Sequence, residues 1–412
     1  MFFLYLGLFF ICMNSSSCKA MNPFCITSVK QTKNYTCYEA NKMLLGVAYP
    51  SNDTVLLLSD GCWSTFDPNT RLLKKFAHFR GKIEDFGVHK KELVVATLVD
   101  SFLFNLETSY QSEVIYTDYK IKRIAFFPYE NTIAIWSDDS ISLIDKNYTS
   151  RFIREVRARS YDNNCLPMLV ARPKSNDLLV LNVAKKNNNP NSSSSKYGYE
   201  LVHMVINHSQ TNYIKKKKTI KDDLILSAMY NPKGTVLAIQ SFVGYEFYKI
   251  DTYHDYKSYL IISPNKNKKV VNPQQIMPYS AIAFHPYRLI VALMNRIDNK
   301  VEFHHYANKV KNTLITTIAL NKSIETSDKF AFNKHIAFSR DGKTIVAIHK
   351  GDNKFYMIPI PLCAYYDMPT INKCIFLNFI LNNYASAPQD IKKLIFNIIT
   401  YSKDIKEYDW LI

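Results

Sequence analysis

The sequence predicts an all-β chain that repeats one antiparallel unit, and three observations carry that prediction. A phrase of apolar strand, turn and second apolar strand recurs; its clearest form is Ile336-Ala337-Phe338-Ser339-Arg340-Asp341-Gly342-Lys343-Thr344-Ile345-Val346-Ala347-Ile348, with worn copies at Ile124–Ile135, Met229–Ile239 and Ala281–Leu293. Each copy continues through a polar turn into a third strand ending near an acidic residue, as in Trp63-Ser64-Thr65-Phe66-Asp67 and Ile141-Ser142-Leu143-Ile144-Asp145. The chain is also rich in strand-favouring aromatics, with 28 Tyr and 25 Phe among 412 residues.

Weaker copies at Val47–Leu58, Phe86–Ala96 and Met168–Leu181 bring the count to seven between roughly residues 44 and 360. The spacing runs from about 40 to about 55 residues, close to that of four-stranded units set side by side. Turns such as Asp341-Gly342 and Asn231-Pro232 join the strands as antiparallel hairpins. A four-stranded sheet this short cannot bury both faces alone, and radial packing of several sheets solves that. The predicted architecture is therefore a seven-bladed β-propeller of four-stranded antiparallel blades over 21–364, with a C-terminal α-helical hairpin over 365–412. The small residue in each second strand (Ala96, Ala134, Ala238, Ala292, Ala347) suits a crowded position near the axis.

The Phe338-Ser339-Arg340-Asp341-Gly342-Lys343-Thr344-Ile345-Val346-Ala347 phrase, with the strand endings Ile144-Asp145 and Ile250-Asp251, resembles the WD40-repeat family. The likeness covers about three quarters of the chain. It implies a rigid ring that presents a face to partner proteins. No Trp-Asp pair closes a blade and no Gly-His dipeptide opens one, so the hydrogen-bond network that those residues build in that family is not expected here.

At the N-terminus, Phe2–Met13 is a continuous apolar run followed by a polar stretch, Asn14–Lys19, and then Ala20. Residues 1–20 thus read as a cleavable export signal. The expected location is secreted or periplasmic, and cytoplasmic if the signal is not one. No other stretch is long enough to span a bilayer. Beyond the signal stand Cys25, Cys37, Cys62, Cys165, Cys363 and Cys374. Cys25 with Cys37, and Cys363 with Cys374, flank the entry to and exit from the ring; each pair could close a small loop, and cross-pairing stays open because both ends of a ring meet. Cys62 and Cys165 read as core thiols. The segment Phe24–Glu39 carries strand-like pieces expected to complete the last blade and remove its open edge.

The formal net charge is +17, with Lys215–Lys218 and Lys266–Lys269 as the denser clusters, both assigned to loops. Dispersed lysine elsewhere points to solubility and weak electrostatic association, and away from nucleic acid as a specific partner. Lys185–Ser195 is low in complexity and reads as an insertion in blade four between Leu178–Val183 and Tyr199–Ile206. In the tail, Lys373–Asn383 is almost wholly apolar, and Ser386, Pro388 and Gln389 read as a helix start. Ile391, Leu394, Ile395 and Ile398 then share one apolar helix face, a candidate partner-binding surface. Ala387–Phe396 also resembles the opening of an F-box, which would imply a host-directed adaptor.

No Gly-rich phosphate loop, Gly-x-Ser-x-Gly elbow or His-Glu-x-x-His is present. His304-His305 would point to opposite strand faces and cannot both serve one metal. His285 before Pro286, and Asp138-Asp139, fall in predicted turns. No cofactor, metal or catalytic residue is assigned. The expectation is a monomeric, non-enzymatic protein-binding scaffold. The competing reading is a hydrolase or lactonase whose acids converge in the central channel from several blades.

Overall fold

The computed structural model describes residues 24–360 and Gln389, apart from 117–120, 127–131, 146–151, 158–167, 186–196, 251–255, 264–278, 307–312, 321–333 and shorter connecting stretches. The chain divides into two compact units, Met1–Pro359 and Ile360–Ile412. The described part of the first unit is all β. Strands β1 (Ile26–Gln31) and β2 (Thr36–Ala40) come first. Four antiparallel strands then form each successive sheet: β3 (Leu44–Ser51), β4 (Thr54–Ser59), β5 (Cys62–Asp67) and β6 (Leu72–His78); β7 (Ile83–His89), β8 (Glu92–Thr97), β9 (Asp100–Asn105) and β10 (Gln111–Tyr116). Next are β11 (Ile121–Phe126), β12 (Thr132–Ser137), β13 (Ser140–Asp145) and β14 (Phe152–Arg157); then β15 (Met168–Ala171), β16 (Asp177–Lys185), β17 (Tyr197–Ile206) and β18 (Thr211–Ile220). The series continues with β19 (Ile225–Tyr230), β20 (Val236–Ser241), β21 (Tyr245–Ile250) and β22 (Tyr256–Ile262), and with β23 (Tyr279–Phe284), β24 (Ile290–Asn295), β25 (Lys300–His305) and β26 (Leu314–Ala319). The last copy supplies β27 (Ile336–Phe338), β28 (Thr344–Ile348) and β29 (Lys354–Pro359).

The molecule is a β-propeller with four-stranded antiparallel blades. The expectation of seven such blades is corrected: among the described residues six sheets are four-stranded, and the copy at 336–359 belongs to a five-stranded sheet ordered β1-β2-β29-β28-β27. The reason is the chain's N-terminus, which adds two strands where one was expected. β2 pairs with β29 through Thr36↔Met357, Cys37↔Tyr356 and Tyr38↔Phe355, and β1 then pairs along the outside of β2. Backbone bonds from Leu44 N–H to Asp352 O and from Val47 N–H to Lys334 O, both 2.8 Å, join β3 to this closing sheet.

The core lies between sheets. One cluster unites Tyr38, Phe355 and Val346 of the closing sheet with Val47, Leu57 and Phe66 of the next. Another joins Leu56, Leu58 and Trp63 to Phe86, Val95 and Phe104. The same sharing recurs around the ring, as with Trp136 and Leu143 against Leu178, and Ala238 and Phe247 against Ile282 and Leu293. Ala96, Ala134, Ala238, Ala292 and Ala347 are all fully buried on second strands, where neighbouring sheets converge. Gly87 lets the Phe126 ring approach: a Cβ there would lie 2.7 Å from it.

The acidic strand ending has a local cause. Asp67 Oδ1 accepts the N–H groups of Asn69 (2.8 Å) and Thr70 (3.3 Å), and Asn105 does the same for Glu107 and Thr108. These side chains cap the third-to-fourth strand turn. Lys74, 2.7 Å from Asp67, holds that carboxyl down at about 2.

Several expectations are relocated. Lys215–Lys218 lies in β18, the outer strand of its sheet, and not in a loop. The register passes from Leu201↔Lys218 to His203↔Ile214, so Lys215–Lys217 bulge opposite Val202. β16 and β17 extend their hairpin to Lys185↔Tyr197 and carry the insertion at its tip, whose residues 186–196 are outside those described. The proposed terminal hairpin, the helix face Ile391, Leu394, Ile395 and Ile398, Cys363, Cys374, Cys165, the Lys266–Lys269 cluster and the export segment also lie outside the described residues. Among the described residues no helix is long and apolar enough to cross a membrane.

Gly342 tests how the blades meet. Its φ of +74° is in the left-handed region, and a Cβ there would collide with the His285 imidazole of the preceding sheet. Gly342→Ala is expected to destabilise the protein by about 1–3 kcal/mol in denaturant unfolding.

Candidate functional site

The first strands of successive sheets line a central cavity of about 370 Å³. Val88, Ala125, Phe126, Leu169 and Met229 contribute apolar lining, and Asp85, Arg123, Ser227 and Lys334 contribute polar groups. Asp85 is buried. Its Oδ1 accepts from Phe86 N–H (2.8 Å) and from Lys334 Nζ (2.7 Å), and its Oδ2 accepts from Ile124 N–H at 2.9 Å. Lys334 Nζ also sits 4.6 Å from the Phe86 ring centroid, a cation–π contact. One carboxylate thus ties β7 to β11 and to the segment entering β27. It is the only carboxylate among the described residues lining the cavity. The convergent acids that a channel hydrolase requires are not supplied by those residues.

A second polar cluster is buried between the β19–β22 and β23–β26 sheets. Tyr279 OH donates to Glu302 Oε2 (2.8 Å), Asn295 Nδ2 donates to Oε1 (2.8 Å), Lys300 Nζ lies 3.2 Å from Oε1, and His304 Nε2 lies 3.0 Å from Oε2. Gln240 Nε2 donates to the Tyr279 carbonyl at 2.6 Å, and Gln240 Oε1 accepts from Ser227 and Tyr245. Burial pushes the Glu302 carboxyl up, but the bonds from His304, Asn295, Tyr279 and Lys300 outweigh it and hold the carboxyl at about 2. His304 is therefore a partner of Glu302 inside the wall, and its neighbour His305 faces away at a half-buried position. This cluster is the chain's own network in the absence of Trp-Asp and Gly-His. Sequence reading missed it because Gln240, Tyr279 and Glu302 share no spacing.

His285 is the structural turn residue expected. Its Nδ1 accepts the N–H groups of Tyr287 (3.1 Å) and Arg288 (3.0 Å), and its ring packs edge-on against Phe338. Burial and the Arg288 charge lower its pKa to about 4, which keeps the imidazole neutral as those acceptor bonds require. Asp138-Asp139 falls between Ser137 and Ser140, which face each other across β12 and β13, and is outside the described residues. Among the described residues no three His, Cys, Asp or Glu side chains are grouped to hold a metal.

Of the cysteine pairings left open by the sequence, Cys25 with Cys37 is the one whose two residues are described, and they stand apart. Cys37 faces Lys30 in the β1–β2 register, which leaves Cys25 five residues away along β1. That separation is about 17 Å at about 3.3 Å per residue, beyond the reach of a disulfide. Both thiols are free; Cys37 is buried, and burial raises its pKa. Cys62 is a core thiol beside Ser59, with Sγ 2.9 Å from Oγ.

The turns between first and second strands form a linked rim. Arg172 Nε donates to Gly234 O (2.7 Å), Gly342 abuts His285, and Asp341 N–H donates to Asn52 Oδ1 (2.8 Å). On this rim Tyr287 is 68% exposed and Leu289 48%. Sequence reading passed over both, because an exposed apolar residue and a buried one look alike in a repeat copy.

No protein-family model matches the chain, and no curated protein matches it. Solved structures do match in fold. Hydrazine synthase of Kuenenia stuttgartiensis is 12% identical at a TM-score of 0.56, covering 83% of this chain and 98% of that one. The Cps50 (Swd1) β-propeller domain of Myceliophteria thermophila is 12% identical at 0.57, covering 81% and 99%. A chain of a mitotic checkpoint complex is 11% identical at 0.57, covering 83% and 97%. At these identities the likeness is one of fold, the β-propeller.

Two predictions follow from the buried carboxylates. Asp85→Ala strands two backbone donors and Lys334, and is expected to cost about 3 kcal/mol, against about 1 kcal/mol for Lys334→Ala, whose ammonium is partly solvated; urea unfolding of both variants measures the difference. For Glu302 the folded pKa of about 2 lies below the ordinary 4.5, so its stabilisation is full above pH 4.5 and is lost as pH falls toward 2. Glu302→Gln should lower Tm at neutral pH, with the gap to the parent chain narrowing across that window.

Proposed function

We propose that this chain is a non-enzymatic, protein-binding scaffold, exported when residues 1–20 act as a signal, that presents a rigid propeller rim to its partners. One observation carries the reading. The one carboxylate that the described residues bring to the central cavity holds the ring together, with Asp85 bonded to Phe86, Ile124 and Lys334. The linked turns on the rim meanwhile display Tyr287 and Leu289 to solvent. A turn backbone already held by hydrogen bonds adds little ordering cost on binding. The fold shared with a Cps50 (Swd1) propeller domain and with a chain of a mitotic checkpoint complex supports the same direction.

The test is affinity capture with the full chain followed by cross-linking mass spectrometry. The expected result is a protein partner whose cross-links cluster on one rim and persist in the Lys334→Ala variant. A turnover activity that the same channel substitution abolishes would replace the scaffold by the channel-enzyme reading.

A further inference from the structure

Two neighbouring rim turns form a platform of unusual composition. In the first, His285 N–H donates to Ile290 O (2.9 Å), and the His285 ring gathers the N–H groups of Tyr287 and Arg288. Tyr287 and Leu289 project outward from that locked backbone, exposed by 68% and 48%. In the second, Ser339 N–H donates to Thr344 O (2.8 Å), Gly342 N–H donates to Ser339 O (3.0 Å), and Gly342 rests on His285. Arg340 and Lys343 are exposed on this turn.

The platform carries a net positive charge. Its one carboxylate, Asp341, is exposed, with Oδ1 accepting from Ser339 Oγ (2.6 Å) and from Lys343 N–H (3.0 Å). The two turns thus carry three cations, Arg288, Arg340 and Lys343, against one acid, Asp341, beside an exposed aromatic and an exposed aliphatic side chain. Lys233, exposed on the preceding turn, extends the same sign.

We infer that this platform docks an acidic peptide segment bearing an aromatic or aliphatic anchor. The inference rests on the scaffold reading above and names its partner class. The anchor would cover Tyr287 and Leu289, and the flanking carboxylates would meet Arg340 and Lys343, an arrangement in which apolar contact and charge act together. A peptide suits the platform better than a single-stranded nucleic acid. Base stacking calls for successive aromatic faces, whereas Tyr287 is followed by an aliphatic Leu289.

Fluorescence anisotropy with the full chain tests it, using a labelled random Glu:Tyr (4:1) copolymer, polyglutamate and oligo(dT) as probes. The copolymer should bind more tightly than polyglutamate, and raised salt should weaken it. Tyr287→Ser/Leu289→Ser and Arg340→Glu/Lys343→Glu should each weaken it by about tenfold or more while leaving Tm unchanged, since all four side chains are exposed. Equal binding by the parent chain and both variants overturns the inference, as does oligo(dT) binding as tightly with the same sensitivity. Partner cross-links confined to another surface, with no copolymer binding, would remove the inference and leave the scaffold reading standing.

Discussion

Ring closure is the constraint on which the rest of this structure depends. Each sheet is too small to bury its own faces, so each hydrophobic cluster is held in common by two neighbours. An open ring would expose a half-cluster at each end and leave unpaired strand edges. The chain closes the gap by returning its N-terminus: β2 adds to β29, and Tyr38 stacks on Phe355 with ring centroids 4.9 Å apart. Phe66 of the next sheet meets both rings edge-on, so backbone pairing and core packing close the same seam.

Closure also explains where the polar side chains have gone. Hydrophobic packing between sheets is non-directional, and hydrogen bonds between them define a single register. Asp85 reaches the backbone of β11 and an ammonium 249 residues away. Gln240 and Tyr279 connect adjacent sheets, as do Arg172 with Gly234 and Asp341 with Asn52. Glu302 and His304 are buried and bonded to one another and to Tyr279, Asn295 and Lys300 within their own sheet. The rim displays Tyr287 and Leu289 to solvent, on a backbone held by its own turn bonds.

Much of the fold was legible because its units are local. The Asp341-Gly342 turn, the buried alanines of the second strands and the acid that ends the third strand all act within about a dozen residues, and each does what its spacing implied. The use of the N-terminal segment as a closing strand was also readable, since an open edge is costly wherever it falls. The second added strand, β1, had no such signal: its burial is nearly all exposed, so no hydrophobic alternation announced it. The Lys215–Lys218 run, expected in a loop, lies instead on an outer edge strand, the place in a sheet where lysine serves to discourage further pairing.

The sequence by itself determined the repeating antiparallel unit, the hairpin turns and the all-β architecture, because strand alternation and turn chemistry are short-range properties. Only the tertiary structure decided that the closing sheet has five strands, that Cys25 and Cys37 stand at opposite ends of a hairpin, that Asp85 joins sheets, that Glu302 is bonded within its own sheet, and that the His285 ring packs on Phe338 of the next one. Those outcomes depend on which residues meet across the ring. The partners of Asp85 and of β2 lie at separations no local pattern encodes, and that geometry exists only once the ring has closed.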